Sequence, residues 1–294
     1  MKNAKAITIT YLTKASYSSL NGADKEADNI VSIKKIQMND GKEYPYCSSQ
    51  AVRRALREQL ASMGWELSET TVAKQKKGAA STLCEPSKYI DDDLFGFMNA
   101  DSAKTVKRTS PVRVSPLVAV EAYKGGMDFG TNYMSVKSGG NPNIFETEVH
   151  SGYYVGTLLI ELDRVGEKSP GEEYELKLAS EEKKKRVKAL IDAVQNLWTV
   201  GRQSRFLSDV SPKFTAAAVI KVKNPIFLEC VTIGRNGSVD VELIKNTLDD
   251  SNRQVIDYSI GERKGFFGAD SEAALPLGQC FEKIHSWIEE YYKD

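Results

Sequence analysis

The stretch CSSQAVRRALREQL, residues 47–60, places three guanidinium groups, Arg53, Arg54 and Arg57, directly after two hydroxyls and an amide, Ser48, Ser49 and Gln50. This is the chemistry of anion binding rather than of bond breaking. A helix start presents unpaired N–H groups that attract phosphate, and Ser and Gln side chains add donors. Arginine forks then pair with phosphate oxygens two bonds at a time. At about 100° per residue, Val52, Leu56, Gln59 and Met63 line one face, flanked by Ala55 and Leu60, and the arginines sit nearly opposite. Stacking Arg53 on Arg57 costs an isolated helix roughly 0.2–0.5 kcal/mol, which Glu58 or a phosphate ligand offsets. The plainer alternative is a Ser-capped helix with solvated arginines.

Two further segments have the same character. The loop VGRQSRF carries Gly201, Arg202, Gln203 and Arg205 after a helix. It reads as a second phosphate cradle, or as a glycine cap with basic residues at the negative end of the helix dipole. The Gly-rich segment 126–149 carries Tyr133, Met134 and Val136, apolar groups that wedge between bases when exposed or pack on protein when not. Catalytic patterns are missing: there is no phosphate-binding glycine loop, nucleophile elbow or HExxH. His150 and His285 are too far apart to argue for a metal or a triad, and Asp91, Asp92 and Asp93 read as an exposed acidic turn. RKGFFG at 263–268 departs from the aromatic signature of RNA-recognition motifs at Gly268, so Phe266 and Phe267 read as core or interface. No cofactor is expected, and the chain reads as a non-enzyme.

The 294 residues hold 40 basic and 40 acidic side chains, so any basic surface must be local and balanced elsewhere. Four scattered cysteines, Cys47, Cys84, Cys230 and Cys280, read as thiols of a reducing compartment. The N-terminus alternates apolar with polar residues, unlike a signal peptide, and no run reaches the ~18 apolar residues of a membrane span. The expectation is a cytoplasmic protein.

The elements that must position these groups follow from periodicity. AKAITITYL reads as a first strand, followed by a long polar connection to residue 46 and the arginine helix. Residues 67–107 are polar and read as an insertion with some helix. PVRVSPLVAVEAY and GYYVGTLLIELDRV read as strands joined through the hairpin, and SEEKKKRVKALIDAVQNLW as a helix with Ser180 at its N-cap. The strands FTAAAVIKV, PIFLECVTI, VDVELI and QVIDYSI follow, then a last helix with Phe281, Ile284, Trp287, Ile288 and Tyr291 on one face. Without its insertions the order is strand, helix, strand, strand, helix, strand. This predicts an α+β chain with an RRM- or ferredoxin-like core.

Five segments, CSSQAVRRALR, DLFGFM, KRTSPVRVSPL, ETEVHSGYYVG and GRQSRFL, occur in one order along the chain. Together they resemble the CRISPR-associated Cas-seven family, in its DevR-like branch, the backbone subunits of type I (I-B-like) Cascade. The resemblance implies a hand: an RRM-like palm (1–66, 108–125, 150–294), a finger insertion (67–107) and a thumb hairpin (126–149). It implies copies stacked head to tail along a CRISPR RNA, with the target DNA strand and other Cascade subunits as partners. It places RNA contacts at Ser48, Ser49, Gln50, Arg53, Arg54, Arg57, Met134, Arg202, Gln203 and Arg205. One alternative is a type III-like subunit that cuts target RNA with an aspartate after the first strand, here Asp24 or Asp28. Another is a stand-alone nucleic-acid-binding regulator.

Overall fold

The first strand, β1 (Ala6–Ser18), lies between two strands made much later, β10 (Asn143–Glu161) and β11 (Phe214–Ile220), and is antiparallel to both. This computed structural model describes residues 1, 3–23, 29–69, 81–99, 105–141, 143–172, 174–198 and 200–293. The main sheet runs β13 (Leu275–Pro276), β12 (Val255–Glu262), β11, β1, β10, β8 (Leu117–Ala119), β4 (Glu43–Cys47), β3 (Lys35–Gln37). Three more strands, β2 (Ile30–Val31), β7 (Val112–Val114) and β9 (Gly125–Asn132), also pair with β10, while β5 (Phe97–Asn99) and β6 (Val106–Arg108) form a separate ribbon.

β1 alternates Ile7, Ile9 and Tyr11 with Thr8 and Thr10, a pattern that predicts one dry and one wet face. Both faces are in fact buried. On one side Ile7, Ile9 and Tyr11 pack under α1 (Ser49–Ser62), α4 (Ser180–Gln195) and α6 (Leu277–Tyr291). On the other, α5 (Val241–Asp250) and the loops carrying Phe227 and Phe267 close over Ala6, Leu12, Phe214 and Ala218. Thr10 and Thr157 satisfy each other across the strands at 2.8 Å, which makes their burial tolerable. Phe266 and Phe267 therefore belong to this second core, where Phe267 stacks on Tyr153.

Several expectations need correcting. VDVELI is no strand: Asp240 accepts the Leu243 N–H at 3.0 Å and starts α5, which buries Ile244 and Leu248 one turn apart. PIFLECVTI is a turn segment joined only by a bridge at Ile233. Ser180 is already helical, with Ala179 at the cap position and no side-chain cap. Within the insertion, α2 (Ile90–Phe95) is buried through its whole length, and Ile90, Leu94 and Phe95 join the main core. The hairpin shares a strand with the central sheet. β10 is one strand of 19 residues whose first half pairs with β9 and whose second half pairs with β1. A short helix, α3 (Met134–Lys137), sits at the hairpin tip. Among the described residues no helix is long and apolar enough to cross a membrane.

Candidate nucleic-acid interface

The start of α1 and the VGRQSRF loop meet across the loop that follows β1. Ser48 caps α1, its Oγ accepting the Ala51 N–H at 3.3 Å, and its own N–H donates to Asn21 Oδ1 at 2.9 Å. From the other side Gly201, at φ +85°, presses on the same loop: a Cβ there would meet Leu20 Cα and Ser19 O at 2.8 Å. Only glycine accepts both that backbone angle and that approach. Between them opens a cleft of about 330 Å³, with Asn21, Arg54, Glu58 and Arg202 on its walls. Arg54 is largely exposed and bonds Glu58 through Nε at 2.9 Å, and Arg202 is exposed. Ser49 and Gln50 bond each other at 3.2 Å on the exposed first turn.

The three arginines of α1 do not act as one face. Arg53 and Arg57 lie only about 40° apart on a helix and turn away from the cleft, toward β7 and α2. Arg57 Nε donates to Asp91 Oδ2 at 3.2 Å, and its guanidinium lies 4.7 Å from the centre of the Phe95 ring. Arg53 is half-buried, and its Nε has no hydrogen-bond partner among the described residues. Burial, and then the charges of Arg57 and Arg113, pull its pKa below the usual arginine range. Arg113 itself is engaged by Glu161 at 2.9 Å.

Asp91, Asp92 and Asp93 are buried, not an exposed turn. Asp91 takes the Ser68 N–H at 2.9 Å as well as Arg57, and Asp92 takes the Glu85 N–H at 2.9 Å. Asp93 receives Arg108 Nη2 at 2.6 Å, Arg186 Nη1 at 3.0 Å and the Gly166 N–H at 3.0 Å. Arg108 also pairs with Glu172 at 3.1 Å, and Arg186 Nη1 caps the Pro86 carbonyl at 2.7 Å. These aspartates fasten the root of the insertion to the core. Sequence reading missed Arg186, because KKKR looks like a solvated run and its partner stands 93 residues away.

Gln203 and Arg205 of the same loop are engaged within the protein. Gln203 Nε2 donates to the carbonyls of Trp198 and Val200, and its Oε1 accepts the Ser208 N–H at 2.8 Å. Gln203 therefore shapes the loop, and its amide is not turned outward as a phosphate donor. Arg205 is engaged by the hairpin: it bonds Asp128 and donates to Thr147 Oγ1 at 3.0 Å. At the far end of the hairpin Met134 is 67% exposed, beside the equally exposed Tyr133, on the tip helix α3. Met127, Phe129 and Ile144 extend this apolar surface down one face of the ribbon. The register explains it, since Thr131 lies opposite Ile144 and Phe129 opposite Glu146, and opposed residues share a face. The spacing Met127-x-Phe129 is the signal that would have found it. Asp24 and Asp28 lie outside the described residues.

A family model described as "CRISPR-associated negative auto-regulator DevR/Csa2" matches residues 8–242. "CRISPR-associated protein Cas7/Cst2/DevR" of Myxococcus xanthus (strain DK1622) is 31% identical over 145 residues, 43% of this chain and 48% of the relative. "CRISPR-associated protein Cas7/Csa2 1" of Saccharolobus solfataricus (strain P2) is 29% identical over 217 residues, 67% of this chain and 65% of the relative. The chain thus spans less than two thirds of the length of either relative. Among solved structures, a chain of a "CRISPR RNA-guided surveillance complex, pre-nicking" superposes with a TM-score of 0.62 at 14% identity, covering 96% of this chain and 100% of its own. A chain of a "CRISPR RNA-guided surveillance complex" gives 0.59 at 16% identity, covering 96% and 99%. At such identities the likeness is one of fold. With the family model covering most of its length, the chain belongs to the DevR/Csa2 family of CRISPR-associated proteins.

Proposed function

We propose that this chain is a non-catalytic, cytoplasmic backbone subunit of a type I, I-B-like Cascade that holds CRISPR RNA for pairing with a target DNA strand. One observation carries the reading. Two basic segments about 150 residues apart, at Arg54 and Arg202, become walls of one cleft at the start of a capped helix. Such a site fits the sugar-phosphate chain, which is the same for every guide, and leaves sequence reading to base pairing. The strand order β11–β1–β10–β8 supports an RRM-like palm, with residues 67–107 as finger and 126–149 as thumb. Met134, at the exposed tip, is the wedge that enters the base stack. Copies stack head to tail through a heterologous interface that does not close, beside the other Cascade subunits.

The test is binding of two unrelated guides across a salt series by the Arg54→Ala/Arg202→Ala variant. Each lost phosphate contact flattens the dependence of log affinity on log salt by about 0.7, so the pair removes roughly 1.4. Both guides are affected equally. An unchanged slope would overturn the reading. As to catalysis, an assembled complex incubated with complementary RNA and magnesium leaves that RNA intact. Regular cuts abolished by Asp24→Ala or Asp28→Ala would identify the type III-like enzyme instead.

A further inference from the structure

Arg205 is the member of the basic set whose surroundings argue against a phosphate role. The groups it bonds and stacks on come from the root of the hairpin and from its own loop. One terminal nitrogen bonds Asp128 of β9, and the other donates to the buried Thr147 Oγ1 of β10 at 3.0 Å. Its guanidinium lies over the Phe145 ring at 4.5 Å and the Phe206 ring at 5.0 Å. The second oxygen of Asp128 accepts the Tyr17 hydroxyl at 3.1 Å, and the Tyr17 ring meets Phe206 edge to face at 5.8 Å.

Two backbone features serve the same junction. Tyr17 sits at φ +53° where β1 slips register between Ala15 and Ser18, an angle that a bulky residue rarely adopts. That bulge is what brings its ring and hydroxyl to Phe206 and Asp128. Opposite Phe145, residue 130 is glycine: a Cβ there would meet the Phe145 ring at 2.5 Å and the Arg205 guanidinium at 3.0 Å. Both positions serve contacts within the protein, Tyr17 against Phe206 and Asp128, and Gly130 beneath the Phe145 ring.

We infer that Arg205 is a positioning residue, a latch that fixes the thumb hairpin at a set angle to the loop forming the cleft wall. The inference rests on the RNA-binding reading only for its consequence. A thumb held in place before the guide arrives spares the complex the ordering step that a loose hairpin would require. Arg202 and Arg205 then divide the work of one short loop: the first lines the cleft, the second holds the hairpin.

The experiment compares Arg205→Ala and Asp128→Asn with the unaltered protein in two measurements. In amide hydrogen exchange without RNA, both variants should speed exchange across residues 125–150 by about tenfold or more, with β1 and β11 unaffected. In guide binding, both should weaken affinity at every salt concentration and leave the log–log salt slope unchanged. A phosphate ligand behaves differently, because Arg205→Ala flattens the slope and Asp128→Asn, by freeing the arginine, tightens binding. That result would overturn the latch, as would unaltered exchange in both variants. If the unaltered protein bound no guide at all, the RNA reading would fall, and the exchange measurement would still decide the latch by itself.

Discussion

Arginine and carboxylate meet in two regions of this molecule with opposite results. At the insertion root, Asp93 holds Arg108 and Arg186 where all three side chains are at most 2% exposed. At the cleft, Arg54 and Glu58 pair on the surface, with the arginine side chain 82% exposed. The first arrangement leaves no room for a ligand, since each charge has its partners and water is excluded. In the second the ion pair is screened and is worth little by itself, so an incoming phosphate can take the arginine at small loss. Burial and pairing, not the number of basic residues, separate structure from binding surface. Arg57 stands between the two cases, half-buried on Asp91 and one turn from Arg53, whose Nε has no hydrogen-bond partner among the described residues.

The contrast can be broken by substitution. The largest effect belongs to Asp93→Asn, which leaves two buried guanidiniums without their shared anion. A loss of about 3–5 kcal/mol is expected, seen as a melting temperature lower by roughly 10 °C. An unchanged melting temperature would mean that the buried network is not what secures the insertion. Gly201→Ala comes next, because it forces a side chain onto Leu20 and Ser19 at a positive φ. It should cost about 1–3 kcal/mol and disturb the cleft, so that guide affinity falls as well. Affinity retained at lowered stability would show that the cleft wall can shift without consequence. The smallest stability effect is that of Arg54→Ala, at most about 0.5 kcal/mol, even though its effect on RNA binding is expected to be clear. Thermal unfolding of the three variants side by side gives the ranking.

How much of this was legible beforehand depended on distance along the chain. The apolar stripes of α1 and α6 were readable because they repeat every three or four residues: Val52, Leu56 and Leu60, then Phe281, Ile284, Trp287 and Ile288, are buried as their spacing requires. The segment VDVELI misled because its alternation imitates a strand, while the cap at Asp240 and the Ile244–Leu248 step mark a helix. The charged residues were harder. Arg57 finds Asp91 34 residues on, Arg205 finds Asp128 77 residues back, and Arg186 reaches Asp93 93 residues back. No local pattern encodes such pairs. A face of three arginines was therefore expected where the fold divides them between a cleft and a packed insertion. An exposed acidic turn was likewise expected where the fold buries an anchor.

The position of β1 has a consequence for synthesis of the chain. Its two neighbours pair Ile7 with Ile160 on one side and with Val219 on the other. At about 5–20 residues per second, the ribosome needs roughly 10–40 s to make the chain between the first strand and its second neighbour. Throughout that interval Ile7, Ile9 and Leu12 belong to a strand with at least one vacant edge, the condition under which nascent chains associate wrongly. The oldest strand of the sheet thus waits for β11 before both of its edges are paired.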